Sequence, residues 1–130
     1  MGIFEADSSW SLFLDRDGVI NNRLIGDYVK SVEEFRFLPG AQQAIANFSK
    51  VFGYTFVVTN QQCIGKGVIS EADLDSIHSH MQNELESLGG HLNRVYFAPH
   101  LAKDNHPMRK PGIGMALAAK HDFPKVDFSR

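Results

Sequence analysis

Apolar positions along this chain follow two periods. Leu12 to Leu14, Thr55 to Val58 and Val95 to Ala98 are short apolar, aromatic and β-branched runs bounded by polar or glycine-containing stretches, and they predict three buried strands. Between them the spacing turns helical. Ala41, Ala44, Ile45, Phe48 and Phe52 predict a helix stopped by Gly53, and Leu74, Ile77, Met81, Leu85 and Leu88 place one apolar stripe along a longer helix that ends at Gly89-Gly90. Ser70 followed by Asp73 resembles a capping box at its start. A third helix is expected over Gly112 to Lys120, while residues 18 to 38 show no clear period and read as loop with a short hairpin. Strands alternating with helices at this spacing imply an α/β fold: an open parallel sheet with right-handed crossovers and helices on both faces.

Composition narrows the options. A chain of 130 residues with 43% hydrophobic and 22% charged positions is expected to be one domain, residues 1–130, with a real core. Its 13 basic and 15 acidic residues give a formal charge of -2, which offers no general attraction to nucleic acid or an anionic membrane. The single cysteine, Cys63, excludes an internal disulfide and fits a reducing compartment. No apolar run has the length of a membrane span, and Met1-Gly2 is not followed by an acylation signal, because Ala6 stands where serine or threonine is needed. The expected location is cytoplasmic.

Chemistry concentrates at the strand ends. Asp15 and Asp17 follow the first strand, Thr59 and Asn60 close the second, and Arg109-Lys110 lie in the loop after the third. Open parallel sheets bind ligands outside the carboxyl ends of their strands, so the topology brings these groups to one edge. Two carboxylates that close need a cation or a shared proton between them. Each element also has a plain reading, since Asp17-Gly18 and Asn21-Asn22 are ordinary turn signals and Lys110 before Pro111 could be a solvated loop lysine.

The strings LFLDRDGVIN, FVVTNQQCIGKG and MRKPGIGM resemble the first three motifs of the haloacid dehalogenase (HAD) superfamily of phosphohydrolases. DRDGVIN with TNQ and RKP is similar, more narrowly, to the branch of heptose bisphosphate and histidinol phosphatases. The resemblance implies a Rossmann-like HAD fold. It makes Asp15 the nucleophile that forms an aspartyl-phosphate, and Asp17 the group that protonates the leaving alkoxide and later takes a proton from water. Thr59 and the Asn60 amide would hold phosphoryl oxygens, and Lys110 would neutralise charge. Magnesium is implied, held by the Asp15 carboxylate and the Asp17 backbone carbonyl. Neither gap between motifs has room for a cap domain, so the site is expected to be open. Selection of a small phosphorylated sugar would fall to the loop from Asn21 to Tyr28, to Asn60 and Gln61, and to Arg109.

Two departures accompany the resemblance. Many relatives carry a zinc site of cysteines and a histidine before RKP, whereas here Ala98, His106 and Met108 stand at the cysteine positions and only His100 matches, so zinc is not expected. The histidines His78 and His80 do not share a helix face. The family also places a fourth, acidic motif at the end of a later strand, and Asp122 and Asp127 come too early to supply it. The expectation is therefore a C-terminally incomplete version of a longer phosphatase that lacks its C-terminal strands. Alternatives are a histidinol-phosphate phosphatase, a polynucleotide 3'-phosphatase, which the charge disfavours, and a non-catalytic phospho-acceptor or binding module.

Overall fold

The computed structural model describes residues 7–24, 27–100, 103, 105–110 and 112–129. Met1, Gly2 and Ala6, Ile25 and Gly26 of the selectivity loop, and Pro111 of the RKP string lie outside the described residues. Three parallel strands, β1 (Ser11–Leu14), β2 (Tyr54–Asn60) and β3 (Arg94–Ala98), form one sheet in the order β1-β2-β3. The registers Leu14↔Val57 and Asn60↔Ala98 carry β2 three residues beyond the last β1 pair, so its polar end stands beside the Asp15 turn.

Helices cover both faces. α1 (Ala41–Val51) and α3 (Glu71–Ser87) lie on one, where Ile45, Leu74, Ile77, Met81 and Leu85 pack with Val57 and, more peripherally, with Leu14, Val95 and Phe97. The alternate strand residues Phe13, Phe56, Val58, Tyr96 and Ala98 face α4 (Gly114–Asp122), and Met115, Ala119 and Val126 complete that second cluster. This is the expected parallel α/β sheet with helices on either side. Consecutive crossovers through α1 and α3 fall on the same face because both are right-handed steps in one direction.

The capping box at α3 is formed, with the Ser70 hydroxyl accepting from the Asp73 N–H and the Asp73 carboxylate accepting from the Ser70 N–H. Leu88, placed on the core stripe by its spacing, is 54% exposed, because the helix ends at Ser87 and Leu88 is already its cap. No strand forms among the described residues of the 18–38 loop. Isolated bridges Asp17↔Asn21 and Asn21↔Phe37 and a short 3-10 turn, Val32–Glu34, stand where a hairpin was expected. A four-residue helix, α2 (Gln62–Gly65), follows β2 directly and is too short to leave a periodic signal. At Gly53 the chain turns into β2 with its N–H on the Trp10 carbonyl, and a Cβ there would stand 2.1 Å from the Ser8 carbonyl oxygen.

Candidate active site

Asp15 is the first residue past β1, and its side chain is about half exposed. Its Oδ1 meets the Lys110 ammonium at 2.8 Å and accepts from the Arg16 N–H at 2.9 Å. Among the described residues nothing donates to Oδ2. Lys110 is aimed by its surroundings, since Nζ also donates to the Val58 carbonyl at 3.0 Å. The Asn60 side chain pairs reciprocally with the Lys110 backbone, accepting its N–H at 2.9 Å and donating to its carbonyl at 3.2 Å. The Gln61 N–H points to β3, where it meets the Ala98 carbonyl, so alternation turns the Asn60 N–H towards the β1 side, beyond the last β1 pair and near Asp15.

Asp17 occupies a tighter setting. Gly18, at φ +83°, provides the left-handed turn, and the Arg16 carbonyl collects the N–H groups of Val19, Ile20 and Asn21. The Asp17 Oδ1 accepts from Arg16 Nε at 3.1 Å, Arg16 Nη2 at 2.8 Å and Asn21 Nδ2 at 3.0 Å. Among the described residues its Oδ2 accepts only from Gln61 Nε2, at 3.0 Å, and keeps lone-pair capacity. The same Gln61 nitrogen donates to Thr59 Oγ at 2.8 Å, which leaves the Thr59 hydroxyl proton free to serve another acceptor.

The structure therefore brings together Asp15, Asp17, Thr59, Asn60 and Lys110. Two of the expected substrate contacts, Asn21 and Gln61, face Asp17. Asn21 is 0% exposed and Gln61 2%, and both amides turn inward onto Asp17 rather than outward to a ligand. Their short side chains fit the donor positions around a partly buried carboxylate, where an unmet acceptor is costly. Tyr28 is engaged through its hydroxyl by Gln62 and by Lys66, at 3.0 and 2.9 Å, over α2. Arg109 reaches back to the His100 carbonyl at 3.4 Å.

Sequence reasoning passed over Arg16 and His78. Arg16 is fully buried, and its Nη1 lies 3.1 Å from Nε2 of His78 on α3. A guanidinium can only donate, so that ring nitrogen is the acceptor and His78 is neutral. Burial, assisted by the Arg16 charge and opposed by Asp17, lowers the His78 pKa to about 3. Cys63 is buried and its thiol pKa is raised, chiefly by burial, while its Sγ contacts the Gln61 Oε1 at 3.6 Å. It braces Gln61 and is no activated nucleophile. His100 and His106 stack with ring centroids 3.5 Å apart, and His106 Nδ1 accepts from the Met108 N–H.

The donors fit a hard cation. The Asp15 Oδ2 and the Asp17 carbonyl, both in the segment that follows β1, are oxygens without a hydrogen bond from any described residue. Magnesium is commonly held by one or two carboxylates with waters and substrate phosphate completing its shell. No helix among the described residues is long and apolar enough to cross a membrane.

No family model matches the chain. It is 42% identical over 112 residues to the D-glycero-alpha-D-manno-heptose-1,7-bisphosphate 7-phosphatase of Mycobacterium tuberculosis (strain CDC 1551 / Oshkosh), covering 86% of this chain and 59% of that protein. With the D-glycero-beta-D-manno-heptose-1,7-bisphosphate 7-phosphatase of Rhodopseudomonas palustris it shares 38% identity over 125 residues, covering 91% of this chain and 68% of the relative. The crystal structure of D,D-heptose 1,7-bisphosphate phosphatase from B. bronchiseptica, complexed with magnesium and phosphate, superposes with a TM-score of 0.82 at 33% identity, over 88% of this chain and 64% of that one. The chain thus spans about three fifths of the length of the first of these relatives. With its parallel sheet and its strand-end aspartates, threonine and lysine in the arrangement described, the chain belongs to the heptose-1,7-bisphosphate 7-phosphatase family of HAD-like phosphatases.

Proposed function

We propose that this chain forms a single capless domain, residues 1–130, of a magnesium-dependent phosphomonoester hydrolase that acts on a heptose bisphosphate through an aspartyl-phosphate. The observation that carries the reading is the 2.8 Å contact between Lys110 and Asp15 at the open end of β1, with Thr59 at the neighbouring strand end. Magnesium, held by the Asp15 carboxylate and the Asp17 carbonyl, would offset the repulsion between nucleophile and phosphate.

Asp15 attacks phosphorus, the bond to the sugar oxygen breaks, and the leaving alkoxide takes a proton from Asp17. Its Oδ2 is the oxygen with lone-pair capacity to carry that proton, because Oδ1 already accepts three N–H bonds. The Thr59 hydroxyl and the Asn60 amide face the phosphoryl oxygens, and Lys110 neutralises developing charge. Water then attacks the acyl phosphate and gives its proton back to Asp17, releasing phosphate and regenerating Asp15. Arg109 and Tyr28 would serve as substrate contacts. A cytoplasmic setting accords with the reduced, buried Cys63.

The test is phosphate release, with magnesium and after chelation, from both heptose 1,7-bisphosphate anomers, histidinol phosphate and a 3'-phosphorylated oligonucleotide. Magnesium-dependent turnover of a heptose bisphosphate that Asp15→Asn abolishes is the expected result. Preference for histidinol phosphate or the oligonucleotide would overturn the substrate assignment. A stable phosphoryl group on Asp15 without turnover would overturn hydrolysis itself.

A further inference from the structure

The acid/base role assigned to Asp17 depends on which of its oxygens keeps lone-pair capacity, and the Arg16 side chain that occupies the other oxygen is itself in contact with His78, 62 positions from Arg16 in sequence. Resting on the phosphatase reading above, we propose that His78 is a positioning residue: its imidazole fixes the Arg16 guanidinium, which locks Asp17 Oδ1 and leaves Oδ2 to exchange the proton.

Arg16 is buried completely, and the Asp17 carboxylate is the only one its guanidinium meets among the described residues. Two of its nitrogens converge on one carboxylate oxygen, at 3.1 and 2.8 Å, in place of spreading over both. A fork of parallel bonds to both oxygens is the commoner geometry for such a pair. The third nitrogen explains the difference. Nη1 is held 3.1 Å from His78 Nε2, and the Phe35 ring lies under the guanidinium at 5.9 Å. With these two contacts the plane cannot swing to share itself between Oδ1 and Oδ2. Gln61 is then the one donor on Oδ2 among the described residues, and that carboxylate edge faces the Thr59 side of the site.

The arrangement is specific to an unprotonated ring nitrogen. An aliphatic residue at position 78 would leave the buried Nη1 without an acceptor, which the guanidinium can relieve by rotating onto the second Asp17 oxygen. The acid would then be occupied on both oxygens. Glutamine retains a carbonyl acceptor of similar reach.

A defect in proton donation depends on the leaving group, which separates it from a general loss of structure. An alkoxide needs the proton and p-nitrophenolate does not. The experiment compares kcat/KM of the full chain, His78→Leu and His78→Gln, each confirmed folded by circular dichroism, on a sugar phosphate and on p-nitrophenyl phosphate. His78→Leu is expected to lose about tenfold or more on the sugar phosphate, a part of the roughly hundredfold or greater contribution of general acid catalysis, and under about threefold on p-nitrophenyl phosphate. His78→Gln should recover most of that loss. Equal losses on both substrates, no loss, or failure of glutamine to rescue would overturn the role of His78. Absence of Asp15-dependent turnover in the parent chain would instead overturn the phosphatase reading, and the positioning role with it.

Discussion

Acid should destabilise this chain more steeply than it destabilises the His78→Gln variant. In the fold the imidazole is buried and its pKa is lowered from 6.5 to about 3, first by desolvation and then by the Arg16 charge, with Asp17 acting in the opposite sense. Unfolding returns it to the ordinary value. Between the two pKa values the unfolded chain binds one proton more than the folded chain, so this group's contribution is complete above pH 6.5 and declines as pH falls towards the folded value. The slope is about 1.4 kcal/mol per pH unit, so the loss between pH 7 and pH 5 is about 2 kcal/mol. Every other group is common to the two proteins and drops out of the comparison. Urea unfolding at the two pH values measures the effect: the midpoint of the parent should fall further than that of the variant by about 1 M, for a slope near 2 kcal/mol per molar. Glutamine keeps an acceptor for Arg16 and cannot take a proton in this range. If the two pH dependences coincide within about 0.5 kcal/mol, His78 is not held neutral by the fold and the reasoning fails.

Three further outcomes are expected. Lys110→Met should lower kcat by about a hundredfold or more with little change in thermal midpoint, since the ammonium faces the proposed nucleophile, Asp15, and its side chain is 31% exposed. Asn60→Ala should cost about 1–3 kcal/mol, because it strips the Lys110 backbone of both its partners, and should lower turnover less than Lys110→Met does. Gly53→Ala should lower the thermal midpoint by several degrees, because a Cβ 2.1 Å from the Ser8 carbonyl forces the segments entering β1 and β2 apart; an unchanged midpoint would show that the segment before β1 yields freely.

Local pattern was enough for the strands, the capped helix α3 and the polar residues at the strand ends, because each reports burial or backbone need over a few adjacent residues. The positions that escaped are those decided by distant partners. Arg16 sits between two aspartates and looks like one more solvated charge, yet it is buried because α3 brings His78 to it. His78 falls beside Ile77 and Leu74 on the helix, and its spacing alone does not say whether the ring turns in or out. Asn21 and Gln61 were read as ligand contacts from their place in the motifs, and an amide serves equally well to satisfy a carboxylate from behind. Leu88 matched the apolar period of a helix that had already ended.

The reciprocal pairing of Asn60 with the Lys110 backbone uses a side-chain amide as a peptide group would be used in a sheet, with one donor and one acceptor. Lys110 is thereby registered against β2 and not against the loop that carries it. The stretch between Ala98 and Met108 is relieved of holding the ammonium in place. A chain anchored in this way can carry Ala98, His106 and Met108 where the resemblance led one to expect cysteines and still keep the lysine over Asp15. The ammonium and the stretch before it become separate parts, one fitted to the sheet and the other open to change.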